Sequence, residues 1–256
     1  MDAATGIGVG GAFGVIVLAN VLEGGNPASL FLIPPLVLVF GATLLVTVAG
    51  GTMADVKGAA AALKRAFTGG VEPAGEVVPT VVKLADRARR EGLLSLEDAM
   101  KDIDDEFLVK GVTLAIDGTD PEEVRTILEG EMIAKGRADK RAAKFFADAG
   151  AYAPTIGIIG TVMGLVHVLE NLAAPEELGH LIAGAFIATL WGVMSANVIW
   201  LPIGNRLKRL SELEVAKMEL IIEGVSAIQS GANPRVVQHR LVSLLPAEQQ
   251  AAAEAA

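Results

Sequence analysis

The sequence predicts an all-α, polytopic membrane protein with four transmembrane helices and a helical cytoplasmic domain. Three observations carry that reading. Four stretches, 3–22, 24–54, 149–169 and 181–205, contain no Asp, Glu, Lys or Arg. The chain is 52% hydrophobic and only 20% charged, where a globular domain carries about 25%, and its mean hydropathy is +0.50. All 21 lysines and arginines fall in two blocks, fifteen between positions 55 and 148 and six after position 205.

The first span is expected over 3–22. Asp2 follows Met1, so no basic segment precedes the apolar run, and Glu23-Gly24-Gly25 follows it. The run reads as a retained helix rather than a cleaved leader. A hydrocarbon core about 30 Å thick needs roughly 20 residues of helix, so the second stretch is over-long. Pro34 and Pro35 suit a first helical turn and place the second span at 33–54. The third span is expected over 149–169 and the fourth over 181–204.

The segment 55–148 reads as helical, with Gly69-Gly70 and Glu72-Pro73-Ala74-Gly75 as a linker. No glycine-rich nucleotide loop follows a strand. Ser95 and Asp98 have the spacing of a capping box. Thr119-Asp120-Pro121-Glu122-Glu123 marks a helix start, with Val124, Ile127, Leu128 and Met132 at helical spacing behind it. That helix is expected to run through Lys144, Phe145 and Phe146 into the third span. In the tail, 205–256, residues 207–228 continue the fourth span. Asn233-Pro234 then starts a short helix with Val236, Val237, Leu241 and Leu244 on its apolar side, and the alanine-rich end after Pro246 is expected to fray.

Lysine and arginine concentrate on the cytoplasmic side of membranes. The loops 23–33 and 170–180 contain neither, only the acids Glu23, Glu170, Glu176 and Glu177. The middle segment, the tail and both termini are therefore expected in the cytoplasm. A net charge of −9 gives no basis for nucleic-acid binding. With no cysteine, a disulfide framework, an iron–sulfur cluster and a thiol nucleophile are excluded. Three scattered histidines predict no structural zinc site, and no nucleophile–base pair is visible, so neither a cofactor nor an enzymatic activity is expected.

The spans offer small residues and hydroxyls in place of charge. Gly157, Thr161, Gly164 and Val168 share one stripe of the third span, with Gly160 and Gly164 a small-xxx-small pair. Ala185, Thr189, Gly192 and Ala196 line a similar face of the fourth, and Gly6, Gly10 and Gly14 do so in the first. Such faces let helix backbones approach closely in lipid. A hydroxyl facing lipid has no good partner, so Thr161 and Thr189 are expected to face protein or water. Ser195 and Asn197 add polarity to the fourth span, and His167 reads as an interfacial side chain. If the chain conducts ions, the titratable group must come from another chain packed on these faces. If it does not, the stripes hold an oligomer together.

Four segments carry a family resemblance: "VLEGGNPASLFLIPPLVLVFGAT", "ARREGLLSLE", "AYAPTIGIIGTVMGLVHVLENL" and "AGAFIATLWGVMSANVIWLPI". In these the chain resembles the MotA/TolQ/ExbB proton channel family, and within it the flagellar motor stators. The resemblance implies a channel subunit in the bacterial inner membrane, assembled as a homopentamer around a MotB-like protein. That protein would supply the membrane aspartate and the peptidoglycan anchor, and ion flow would turn the ring against the rotor protein FliG. By motif position, Pro154, Thr161, Thr189 and Pro202 match the family's ion-path and coupling residues. Arg89 and Glu97 match its rotor-facing charges, with Arg90 and Asp98 beside them. Sodium-driven relatives tend to carry a hydroxyl just before the second threonine, where this chain has Ala188, which points to protons rather than sodium. The alternatives are an ExbB- or TolQ-like energiser of another envelope system and a non-conducting membrane scaffold. Four spans with the large segment between the second and third favour the stator.

Overall fold

The structure, a computed structural model, describes residues 4–255, with side chains over 4–251. The expectations on Met1, Asp2, Ala3 and Ala256 lie outside the described residues. Every regular element among the described residues is helical. Helix α1 (Ala4–Leu22) is built from glycine and apolar residues. Gly24 ends it at φ +81°, a conformation that glycine adopts without steric cost, and the Gly25 N–H returns to the Asn20 carbonyl at 2.9 Å. Helix α2 (Ile33–Ala49) opens with Pro34 and Pro35 in its first turn and contains a π-helical turn at Val37–Gly41.

Helix α3 (Met53–Thr68) starts at a reciprocal capping box. The Asp55 N–H donates to the Thr52 hydroxyl, and the Thr52 N–H donates to the Asp55 carboxylate at 2.9 Å. The bonds from Thr52 hold the Asp55 carboxyl below its ordinary value. Helices α4 (Val78–Glu91) and α5 (Glu106–Ile116) follow, the second capped by Asp105, whose carboxylate accepts the Leu108 N–H at 2.9 Å. Helix α6 (Pro121–Glu170) runs 50 residues without a break, as its start signals and periodicity predict. Asp120 caps it by accepting the Glu122 N–H at 2.9 Å. Helix α7 (Pro175–Gln229) is also continuous, with a π-helical segment at Ser195–Trp200. Helices α8 (Pro234–Ser243) and α9 (Ala247–Ala255) complete the chain.

The chain divides into two compact units, Met1–Gly70 with Ala138–Arg209 and Val71–Arg137 with Leu210–Ala256. In the first, α1 and the apolar parts of α6 and α7 are long enough to cross a bilayer, while α2 is shorter. The surface of this unit's uncharged stretches is apolar. Ile7, Leu18, Ile158, Val162 and Phe186 are all exposed, as lipid-facing side chains are. Its interior is lined by small residues, with Ala59, Ala66, Ala149, Ala153 and Ala196 buried beside Phe146 and Trp200. Charged residues of 55–70 and 138–148 belong to this unit. Arg65 pairs with Asp139 at 3.0 Å and Arg141 with Asp55 at 3.7 Å.

The second unit has an aliphatic core. Val78, Val81, Leu84, Leu108, Val112, Leu128, Ile221 and Leu241 are buried together. Each such side chain contributes about 1.5–3 kcal/mol on burial. Ion pairs bridge its helices: Arg125 to Glu223 at 2.8 Å, Lys135 to Glu214 at 2.6 Å and Lys217 to Asp105 at 2.8 Å.

Three local expectations are corrected. Ser95 is not an N-cap, because its hydroxyl turns back to the Gly92 carbonyl at 2.7 Å, and the chain makes short 3-10 turns at Leu93–Leu96 and Ala99–Asp102. Asp98 pairs with Lys101 instead, at 2.8 Å. On α8, Val236 and Leu244 are exposed, while Val237, Leu241 and Val242 are buried. The buried stripe sits one residue further along than the hydropathy pattern alone suggests. The end after Pro246 is helical and tied down, since the Gln249 side chain accepts the Gly75 N–H at 3.3 Å and the Gln250 side chain donates to the Leu245 carbonyl at 2.8 Å.

Candidate functional site

The two uncharged stretches of α6 and α7 meet along a seam of small residues. A methyl group added at Gly157 would stand 2.9 Å from the Ala188 carbonyl oxygen and 3.0 Å from Gly192 Cα. One at Gly192 would stand 2.8 Å from the Ala153 carbonyl oxygen and 2.9 Å from Gly157 Cα. These are backbone-to-backbone contacts that only glycine permits. Gly160 faces the Ala188 methyl and Gly164 faces the Ala185 methyl and Cα, and Ala196 is buried on the same helix as these alanines. The glycines Gly6, Gly10 and Gly14 of α1 meet nothing in this chain within 4 Å of such a methyl.

The close approach brings two hydroxyls together. The Thr161 hydroxyl hydrogen-bonds the Thr189 hydroxyl across the seam, and lies 3.0 Å from the Ala185 carbonyl oxygen and 3.1 Å from that of Gly157. Each threonine has one proton to give. When Thr161 donates to a carbonyl, Thr189 donates to Thr161, and the pair forms a short polar chain in an otherwise apolar seam. Both side chains are half-buried. No Asp, Glu, Lys or Arg stands in these stretches to give the pair a charge. Among the described residues no cluster of acids or histidines could hold a metal ion.

Two prolines stand toward one end of the seam, where Gly150 meets Leu201. Pro154 lies inside α6 one turn before Gly157, and having no N–H it leaves the Gly150 carbonyl without its helical donor. Pro202 lies two residues after the end of the π-helical segment Ser195–Trp200, where the hydrogen-bond ladder already changes register. Pro202 also lines a groove of about 410 Å³ with Thr5, Gly8 and Asn197. Ser195 is buried, whereas Asn197 is exposed and donates to the Val193 carbonyl at 2.8 Å. His167 stands exposed, 3.9 Å from Glu170.

Sequence reasoning missed an aromatic cluster behind the seam. The Trp191 indole N–H donates to the Leu30 carbonyl at 2.6 Å, and the rings of Phe13, Phe31 and Phe40 surround it at 5.5–6.0 Å. Phe40 lies in one π-helical turn and also meets Trp200, which ends the other. It also missed Thr43 and Thr47, both buried in α2, where the Thr47 hydroxyl donates to the Thr43 carbonyl at 2.7 Å. The one available signal was that seven of the eleven aromatic residues fall within the four uncharged stretches.

The four charges singled out in the second unit sit on exposed surface. Arg89 and Arg90 occupy the last turn of α4, and Glu97 and Asp98 lie in the 3-10 region that follows. Arg90 is paired with Asp86, its Nε 3.0 Å from the carboxylate. Asp98 is held by Lys101, whose hydrogen bond keeps its carboxyl below the ordinary value. The side chains of Arg89 and Glu97 make no hydrogen bond or ion pair with described residues.

Residues 99–220 match the model of the MotA/TolQ/ExbB proton channel family. The chain is 42% identical to Motility protein A of Bacillus subtilis over 68% of its own length and 64% of that protein, a little under two thirds. It is 35% identical to Motility protein A of Cereibacter sphaeroides, with the whole of both chains covered. Its fold superposes on a chain of the C. jejuni MotAB structure with a TM-score of 0.91 at 30% identity, over 97% of each chain.

Proposed function

The chain belongs to the MotA/TolQ/ExbB proton channel family, and from that premise we propose that it works as a flagellar stator subunit and forms the uncharged wall of an ion passage. The carrying observation is the α6–α7 seam, where backbones touch at Gly157 and Gly192 and the Thr161 and Thr189 hydroxyls bond each other with no titratable group beside them. Such a wall can relay hydrogen bonds and admit a close neighbour, but it cannot by itself bind and release a proton. A MotB-like partner supplies the carboxylate, which the MotAB composition of the matched structure supports.

The subunits form a ring, a pentamer, around that partner in the bacterial inner membrane. The lysine and arginine distribution supports both termini in the cytoplasm. Protons are the transported ion, since Ala188 stands where a further hydroxyl would favour sodium. Each charge crossing 100 mV releases about 2.3 kcal/mol, so several ions suffice for a mechanical step. Pro154 and Pro202 sit where α6 and α7 lack a regular ladder, and they let protonation of the partner bend the inner helices. Arg89 and Glu97, whose side chains make no hydrogen bond or ion pair with described residues, meet the rotor protein FliG, with Arg90 and Asp98 beside them.

The test is swimming in a strain that has this chain as its sole stator subunit. Reversal of Arg89 to Glu is expected to slow swimming and Glu97→Lys to restore part of it, and replacing medium sodium at constant membrane potential is expected to have no effect. Undiminished swimming with all four charges reversed would refute the rotor contact, and arrest without sodium would refute the proton assignment.

A further inference from the structure

The last turn of α4 and the first turn of α8 flank a groove of about 440 Å³ lined by Asp86, Arg89, Arg90, Asn233, Pro234 and Arg235. Three guanidinium groups and one carboxylate face it. Asp86 is committed to Arg90. The Arg89 side chain has no hydrogen bond or ion pair with described residues, and neither does that of Arg235. Two unneutralised arginines from different helices thus open on one concave surface, in a chain whose net charge is −9. Elsewhere in the same unit, arginines are paired across helices, as Arg125 is with Glu223.

We propose that Arg235 is the second arm of a docking groove, and that Arg89 and Arg235 together receive a carboxylate-bearing segment of the rotor partner. The proposal rests on the rotor-facing reading of Arg89 and extends it to α8, a helix that the sequence motif does not reach. The placement of Arg235 is built in. Asn233 caps α8 by accepting the Arg235 N–H at 3.0 Å, and Pro234 occupies the first helical position, so the Arg235 stem leaves the helix at a set angle. The paired requirement follows from magnitude. One exposed ion pair changes an affinity by only roughly 1.4- to 5-fold, and salt screens it over about 8 Å at physiological ionic strength. Two arms on one acidic segment multiply these factors and fix its direction, which a single arginine cannot do.

The experiment compares R89E, R235E and R235K in cells that swim on this chain alone, at matched membrane levels. R235E is expected to slow swimming at least twofold, and R235K to stay close to wild type. A carboxylate-to-lysine reversal in the rotor that rescues R89E is expected to rescue R235E as well. Wild-type swimming with R235E beside an impaired R89E overturns the groove and leaves the rotor reading standing. Wild-type swimming with both overturns the two together. An R235K variant as slow as R235E, or an R235E defect that the rotor reversal does not touch, also overturns the groove, because charge toward a shared segment is then not what Arg235 provides.

Discussion

Thr161 has more acceptors around it than it has protons to give. Its hydroxyl reaches two carbonyls and the Thr189 hydroxyl at once. That excess lets the pair reorient without leaving a buried donor unmade, which is what a passage wall must do as ions pass. Thr161→Val keeps the shape and removes the chain of bonds. Swimming speed is expected to fall by more than half with membrane levels unchanged, whereas Thr161→Ser is expected to swim nearly normally. Equal speeds for the two would show that shape alone matters at this position. That these threonines face protein was legible in the sequence, because a hydroxyl in an apolar helix needs a partner. Their mutual bond was not, since it depends on the rotation of two helices 28 residues apart in the chain. The Ser95 misreading has a similar cause. A serine three residues before an acid can cap a helix or close a turn, and the Gly92 carbonyl won the hydroxyl.

At the scale of elements, the seam depends on glycines where two backbones touch. Gly192→Ala would force Ala153 and Gly157 away from α7. It is expected to destabilise the detergent-purified protein by about 1–3 kcal/mol, read as a lower unfolding temperature. Gly184→Ala, on the same helix with open space around it, is expected to leave that temperature unchanged. Equal shifts for both would deny the close approach. The long helices were legible because uncharged stretches, capping residues and helical spacing all agreed, as at Asp120-Pro121. The π-helical turns at Val37–Gly41 and Ser195–Trp200 were not, because no local residue pattern demands them. Both lie where Phe40, Trp191 and Trp200 pack together, so tertiary contact between large rings sets the register there. The exposed Val236 and Leu244 teach the same lesson for α8. Hydropathy names candidate apolar positions, and the neighbouring core selects Val237 and Leu241 among them.

At the scale of the molecule, the separation of charge from apolar sequence organises everything else. Four stretches without Asp, Glu, Lys or Arg make a wall that tolerates lipid on one side and a close helical neighbour on the other. All the lysines and arginines are left for the remaining segments. A wall of this composition gates ions only when a titratable group is brought to it from outside. The most direct measurement is proton uptake into vesicles under an imposed potential. It compares the purified chain alone, the chain assembled with a MotB-like partner, and the assembly with the partner's membrane carboxylate replaced by its amide. Uptake by the unmodified assembly alone is predicted, and uptake by the isolated chain, or by the amide assembly, would contradict the account.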